Sequence, residues 1–382
     1  VEPAVLRVLF FNEGNLGTRI MGQGQLEASL RVGLEREPGV SARFAGPPPM
    51  GRWARALATR PVPLLGPAGM DLRPLRWHVV ESLRSRRALG AQLAADRPDV
   101  LHVHTQSVAM LLGSVMRSLP TVLSVDTTVA DWDAMPAWHR PGPQAPLQIG
   151  PSRVLERRAL EHAALVLAWT GWTRRSIERE APRAHAIELH PGIDLARYRP
   201  APRRERALPR VLFVGGRFRE KGGEELLEVL GPDLARSVEL DLVTPEPVAE
   251  RPGVRVHRLG PADPALLDLH QQADLFCLPS HGDAAPWAVL EAMACGTPVL
   301  ATGVGGIPDM LDGGRCGLTV AVGDRRGLRA GLDRLLAAAD LRRELGTRAR
   351  ERCEHAYDAR VQTAAMVRAL AEIGPPQALS VR

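Results

Sequence analysis

Lys221 is the only lysine in a chain of 382 residues whose other 48 strongly basic side chains are all arginine. It stands in FREKGGEE, Phe218 to Glu225, behind the strand-like run RVLFVGG and just before two glycines. A compact ammonium recognises different partners from a planar guanidinium. A helix beginning at Gly222-Gly223 would set unpaired N–H groups and the positive end of its dipole beside that ammonium. Arg217 and Arg219 share the turn, so these are the residues of an anion site, and phosphate is the fitting anion. The alternative is that one lysine survived a bias towards Ala, Arg, Gly, Leu and Pro.

A second constellation covers Pro279 to Met310, PSHGDAAPWAVLEAMACGTPVLATGVGGIPDM. Asp283 precedes a helix and Glu291 lies within it, eight positions on, among Val289, Leu290, Met293 and Ala294. A carboxylate buried in such a helix needs a partner, because an unpaired buried charge is expensive. That partner is either an arginine in a structural ion pair or a pair of vicinal hydroxyls, which a carboxylate accepts with both oxygens.

In the first half the candidates are His104 at the end of DVLHVH, expected to face the ligand, and His102 on the same face, expected to pack. Asp126, followed by Thr127 and Thr128, ends the run VLSV. An aspartate there can orient a hydroxyl or take its proton; capping a turn is its other use. Gly14, Gly17 and Gly22 form a loop, NEGNLGTRIMG, without the GxGxxG spacing of a dinucleotide fold, which counts against a dehydrogenase. Asp126, Asp131 and Asp133 lack the glutamate of a calcium loop. No DxD pair or His/Cys spacing suggests a metal site, so none is expected.

The elements that must position these residues follow one grammar twice. VLRVLFF, a Gly-rich loop and the helical LEASLRVGLE open the chain. After a Pro-rich stretch expected to be irregular, GPPPMGRWARALATRPVPLLGPAGM, the spacing predicts a helix near 75–96, strand DVLHVH, helix SVAMLLGSVMRSL and strand TVLSVD. HPGIDLARYRPAPRRERALPR suits a connection between domains, and strand–helix alternation then restarts from RVLFVGG to PVLAT, with helices to about Ile373. Strands alternating with helices imply parallel sheets of right-handed βαβ units. The fold class is α/β, doubly wound twice, with ligands bound at the carboxyl ends of the strands.

Composition sets the frame. Hydrophobic content of 45% and charged content of 24% are those of a folded globular protein, and 382 residues suit two domains. Residues 1–200 carry 25 Arg against 18 Asp and Glu, an excess of seven, whereas residues 201–382 carry 24 Lys and Arg against 25 acids. The clusters RWAR, from Arg52, and RSRR, from Arg84, are able to meet anionic lipid or an acidic acceptor; solvated arginine faces are the plain alternative. Two Tyr and six Phe leave few platforms for nucleic acid, so none is expected. Four widely spaced cysteines and no leader-like or membrane-spanning run point to the cytoplasm.

With these motifs in hand, the second half resembles the C-terminal domain of retaining nucleotide-sugar glycosyltransferases of family 4 (glycosyl transferases group 1), which have the GT-B fold of two Rossmann-like domains facing across a cleft. The resemblance rests on LFVGG then KGG, LPS, the acid–seven residues–Glu spacing, EAMACGTPVLAT and GGIPDML, and is strong over 187–325. It is looser in the first half, through the Gly-rich loop, DVLHVHTQ, VLSVDTT and ERRALEHAALVLAWTGWTRRSI, before HPGIDLARYRP.

The resemblance implies an acceptor-binding domain at 1–195, a donor-binding domain at 196–360 and a C-terminal tail, 361–382, packing back towards the first domain. It assigns Glu291 to the nucleotide ribose and Asp283, where glutamate is commoner, to donor-sugar hydroxyls. Lys221 and Arg217 would clasp the diphosphate, with Arg219 a rival because the loop is one residue shorter than usual. Amides from Ala284 through Trp287 to Ala288, with Gly305-Gly306 and Gly17, would complete the donor pocket. Asp126, where many relatives have His, joins Lys221 and Arg217 as a catalytic candidate, and His104 and Thr127 fall on the acceptor side. The expected reaction is retaining transfer by front-side attack, with no metal and no cofactor beyond the nucleotide sugar. Its acceptor is a hydroxyl on a glycan, a lipid-linked sugar or a small molecule, and the basic first half could touch the inner face of a membrane. Rival functions are a non-catalytic nucleotide-sugar binder, a GT-B epimerase, a phosphorylase with Lys221 holding pyridoxal phosphate, or a membrane scaffold.

Overall fold

A computed structural model describes residues 5–13, 23–62, 72–135, 137 and 145–375, apart from the side chains of 23, 145 and 146. Gly14, Gly17 and Gly22 lie outside the described residues. The chain divides into two compact units: Val1–Arg19, Leu26–Pro191 and Arg360–Arg382 form the first, Ile20–Gln25 and Gly192–Ala359 the second.

The first half of the chain runs β1 (Leu6–Asn12), α1 (Gln23–Leu34), β2 (Val40–Ala45), α2 (Arg52–Thr59), α3 (Arg73–Ala95), β3 (Val100–His104), α4 (Gln106–Ala109), α5 (Gly113–Met116), β4 (Thr121–Val125), α6 (Val129–Ala134), α7 (Ala145–His162), β5 (Leu165–Ala168), α8 (Gly171–Glu180) and β6 (Ala186–Glu188). Its strands form one parallel sheet in the order β2-β1-β3-β4-β5-β6. VLHVH, TVLSV and LVLA are buried along their whole length, as strands covered by helices on both faces must be. Leu9, Leu101, Leu123 and Val166 of the strands pack with Leu89 of α3, Leu160 of α7 and Ile177 of α8.

Two expectations change here. SVAMLLGSVMRSL is not one helix but the two single turns α4 and α5, broken at Leu112, whose φ of −93° and ψ of 8° lie off the helical pair. The Pro-rich stretch expected to be irregular contains α2, because RWARALAT is a helix-favouring run between prolines.

The second half runs β7 (Arg210–Val214), α9 (Gly223–Leu230), β8 (Glu239–Val243), β9 (Val254–His257), α10 (Pro264–Gln272), β10 (Leu275–Leu278), α11 (Trp287–Ala294), β11 (Val299–Thr302), α12 (Ile307–Met310), β12 (Leu318–Val320), α13 (Arg325–Ala337), α14 (Ala339–Ala356) and α15 (Ala359–Ile373). Its parallel sheet has the order β12-β11-β10-β7-β8-β9. From β7 the chain builds outward through β8 and β9, then returns to lay β10 on the other side. At such a reversal the connections that leave β7 and β10 run to opposite faces of the sheet, and folds of this kind bind ligands there, at the strands' carboxyl ends.

Candidate active site

The loops flanking that reversal are FREKGGEE, after β7, and PSHGDAAP, after β10. The first closes on itself through Lys221 N–H to the Arg217 carbonyl and Gly222 N–H to the Arg219 carbonyl, both 2.9 Å. Gly222 has φ +77°, and a Cβ there would lie 2.0 Å from the Pro279 carbonyl oxygen, so only glycine lets the two loops touch. Gly305, in the loop after β11, repeats the device: its φ is +58° and a Cβ would meet the Asp283 carbonyl oxygen at 1.8 Å. Further bonds lock the arrangement, from His281 N–H to the Glu220 carbonyl at 2.9 Å and from Thr302 Oγ1 to the Ser280 carbonyl at 2.6 Å. Gly306 N–H donates to the Ala284 carbonyl at 2.7 Å.

This framework brings Lys221, Asp283 and Gly305 together. Lys221 Nζ is ion-paired with Asp283 Oδ2, and both side chains are largely buried. The Gly282 carbonyl lies 3.5 Å from the same Nζ. Arg219 points elsewhere: its side chain is 79% exposed and pairs with Glu224 at 3.0 Å, in the first turn of α9. Arg217, in the same turn, is also exposed. The start of α9 carries acid of its own, since Glu225 lies 3.1 Å from His281 Nε2.

Glu291 is 3% exposed on α11 and accepts a hydrogen bond from the Tyr198 hydroxyl at 3.1 Å. His270 Nε2 is 3.2 Å from its other oxygen, off the alignment of a hydrogen bond. The Gln25 side-chain amide donates to the same oxygen as Tyr198 at 2.7 Å, so the partners of this buried acid are an amide, a phenol and an imidazole rather than the arginine of the structural alternative. Burial and the Glu291 charge push the Tyr198 phenol well above the usual tyrosine range, so it remains a donor. Trp287 and Ala288, in the first turn of α11, are half-buried. Neither Tyr198 nor His270 was singled out in the sequence, where they lie 93 and 21 positions from Glu291.

Beside Gly215 and Gly216 is a pocket of about 70 Å³ whose other walls include Val214, Thr244, Pro245, Leu259 and Leu266. It lies at the carboxyl ends of β7 and β8, and its only foreshadowing in the sequence is the GG pair after VLFV.

In the first unit, the backbone around Asp126 is clamped from three elements. Thr173 Oγ1 of α8 donates to the Asp126 carbonyl at 2.6 Å, Gln106 Nε2 donates to the Thr127 carbonyl at 2.9 Å, and Val129 N–H donates to Glu156 of α7 at 2.8 Å. Thr128, not Asp126, caps α6, accepting from Asp131 N–H at 3.2 Å. Thr127 itself is buried. The expectation that His104 faces an open ligand site does not hold: the ring is 2% exposed, stacks on Trp169 at 5.0 Å and lies 3.1 Å from the Ser124 carbonyl. His102 is packed as expected, against Phe10. Asp131 faces Arg179 at 3.4 Å, and among the described residues no group of three His, Cys, Asp or Glu is arranged to hold a metal ion.

Residues 208–338 match the family described as Glycosyl transferases group 1, and residues 41–197 match Glycosyltransferase Family 4. The alpha-maltose-1-phosphate synthase of Mycolicibacterium smegmatis is 30% identical over 322 residues, 72% of this chain and 81% of that protein. A D-inositol 3-phosphate glycosyltransferase of Corynebacterium jeikeium is 31% identical over 226 residues, 51% of this chain and 54% of that one. The chain thus spans about half the length of that relative and of the Gordonia bronchialis protein of the same name, of which 51% is covered. Among solved structures, sucrose-phosphate synthase from Thermosynechococcus elongatus has TM-score 0.76 at 18% identity, covering 96% of this chain and 99% of that one. Anabaena HepE, solved with UDP and glucose, has TM-score 0.66 at 14% identity, with 96% and 100% covered. These likenesses are of fold, and the fold is GT-B, two Rossmann-like units each built on a parallel six-stranded sheet.

Proposed function

Since the chain belongs to the group 1, family 4 glycosyltransferases, we propose that it moves a hexosyl group from a nucleoside-diphosphate sugar to a hydroxyl acceptor, retaining the anomeric configuration and using no metal ion. The observation that carries this is the meeting of the lone lysine with Asp283 at the strand-order reversal of the second unit. The diphosphate lies across Gly222-Gly223, sharing the Lys221 ammonium with Asp283 and drawing in Arg217. Asp283 accepts from donor-sugar hydroxyls, Gly305 and the amides from Ala284 to Ala288 line the sugar, and Glu291 takes the ribose hydroxyls in exchange for Tyr198. The pocket beside Gly215 seats the nucleobase on Val214 and Leu259.

In the reaction the bond from the anomeric carbon to the bridging phosphate oxygen breaks, and its electron pair stays on the nucleoside diphosphate. Lys221 and Arg217 oppose that growing charge, which is the largest contribution fixed cations make to such a step. The acceptor oxygen bonds to the anomeric carbon on the face the phosphate leaves. Its proton passes to a leaving-phosphate oxygen, with Asp126 orienting the acceptor hydroxyl or receiving the proton in its place. The names of the relatives favour a sugar or polyol acceptor, with Thr127 a residue of its surroundings. We place the enzyme in the cytoplasm, consistent with four free cysteines.

The test is thermal unfolding of the purified chain with UDP-, GDP-, ADP- and TDP-sugars. A ligand present at a hundred times its Kd stabilises by about 2.7 kcal/mol. One nucleotide class should raise the melting temperature, and Lys221→Ala and Glu291→Gln should each abolish the rise. A rise indifferent to both substitutions would move the donor site elsewhere.

A further inference from the structure

The seven-charge basic excess of the first half has one source. Residues 38–95 contain nine arginines and two acids, and the other residues of 1–200 are balanced at sixteen each. One of the two acids, Glu81, is buried and bonded by Arg84 at 2.6 Å, so it adds no surface charge. The segment carries β2, α2 and α3, and α2 is where its charge meets exposed apolar surface. Trp53 is 76% exposed and Leu57 61%. Four residues apart on a helix, they lie on one face, flanked by exposed Arg52, Arg55 and Arg60.

The opposite side of α2 is fixed to the fold: Ala58 is buried, and the Arg76 guanidinium of α3 donates to the Leu57 and Arg60 carbonyls at 2.6 and 2.9 Å. The exposed stripe is therefore held in place rather than trailing. On α3, Leu83 is exposed, as are Arg86 and Arg87. Burying Trp53 and Leu57 needs an apolar layer, and the surrounding guanidiniums need anions just outside it. A bilayer with anionic headgroups provides both at that spacing, with the tryptophan at headgroup depth and the arginines reaching up from it. A second copy of the chain fits poorly, since two apolar side chains fall far short of the roughly 800 Å² per partner of a stable interface and a two-fold contact would set arginine against arginine.

We propose that α2, with the neighbouring exposed face of α3, is a membrane-docking surface that lies in the interface of an anionic bilayer and carries Trp53 and Leu57 into it. The surface is distinct from the donor site and stands whether or not the donor assignment does.

The test is co-sedimentation of the full chain with vesicles of phosphatidylglycerol and phosphatidylcholine, set against phosphatidylcholine alone. Binding is expected only to the anionic vesicles and should weaken as salt is raised. Each of Arg52→Gln, Arg55→Gln and Arg60→Gln should lower the partition coefficient about fivefold. The double variant Trp53→Ala, Leu57→Ser should lower it at least tenfold, while its melting temperature and its response to nucleotide sugars match the parent, showing that it folds. In the parent, tryptophan emission should shift to the blue on binding, and Trp53→Phe should remove that shift. Equal binding to neutral vesicles, or anionic binding untouched by these substitutions, would overturn the proposal. So would a parent dimer in sedimentation equilibrium that the Trp53, Leu57 variant dissolves, because a second copy would then be the occupant.

Discussion

At the scale of the residue, Lys221 and Asp283 form a pair whose charges both sit mostly out of water. Removing either leaves the other uncompensated, which in a fully buried pair costs about 3–5 kcal/mol. Some solvent still reaches these side chains, so Lys221→Ala and Asp283→Ala should each destabilise the chain by about 1–3 kcal/mol. The double variant should cost less than the two together, with a coupling energy of about 1 kcal/mol or more from urea unfolding. Strict additivity would show that the pair does not form in solution. The types and spacing of these residues marked them in the sequence: a unique lysine before two glycines, and two acids eight apart in an apolar frame. Their partners were not marked. Lys221 and Asp283 are 62 positions apart, Tyr198 and Glu291 93, and only the strand order decides which loops meet.

At the scale of the element, the candidate donor site is a contact between loop backbones, and glycine is what permits it. Gly222→Ala forces an L side chain into positive φ and drives its Cβ into the Pro279 carbonyl. The backbone penalty alone is about 1 kcal/mol or more, and parting the loops adds to it. A loss above about 2 kcal/mol is expected in urea unfolding, along with the response to nucleotide sugars. Gly216 is the control, since nothing lies within 4 Å of a Cβ there, and Gly216→Ala should stay within about 0.5 kcal/mol of the parent. An equal effect at both positions would mean that the Gly222 contact is not what holds the loops. Elements with long apolar runs, such as β7, β10 and α11, were legible because burial on both faces leaves continuous hydrophobic sequence. Short ones were not. β12 is the three residues LTV, and α2 is hidden between prolines that normally mark a loop. Leu112-Gly113 breaks a pattern that reads as one helix, because the chain turns there into a second, separate helical turn.

At the scale of the whole molecule, the two units should answer differently to pH, because the buried titrating groups with the largest histidine and carboxylate displacements belong to the first. Burial holds His102 and His190 down at about 3 and His104 at about 4, the neighbouring His104 adding to the effect on His102. His78 is likewise lowered, to about 4. Unfolded histidines titrate near 6.5, so below that pH the unfolded chain takes up protons the folded unit refuses. Stability from these groups is complete above pH 6.5 and is lost as pH falls towards 4. Glu156 works in the opposite sense: burial, with Glu180 and Asp131 nearby, raises it to about 8, against the opposing Val129 N–H and Arg153. Its folded form keeps a proton that the unfolded form releases near 4.5, so its contribution is complete below that pH and is lost as pH rises towards 8. Between 4.5 and about 7 the four histidines outweigh the single glutamate and stability climbs with pH; from about 7 to 8 the glutamate prevails and stability declines, by less than about 1.4 kcal/mol per pH unit. The first unit should therefore be most stable near pH 7. Six of the seven tryptophans belong to it, so tryptophan fluorescence reads its unfolding with little signal from the second unit. Glu156→Gln removes the titrating carboxyl and should flatten the limb above about pH 7 while leaving the acid limb in place. A limb that persists in that variant would mean that Glu156 does not carry the proton.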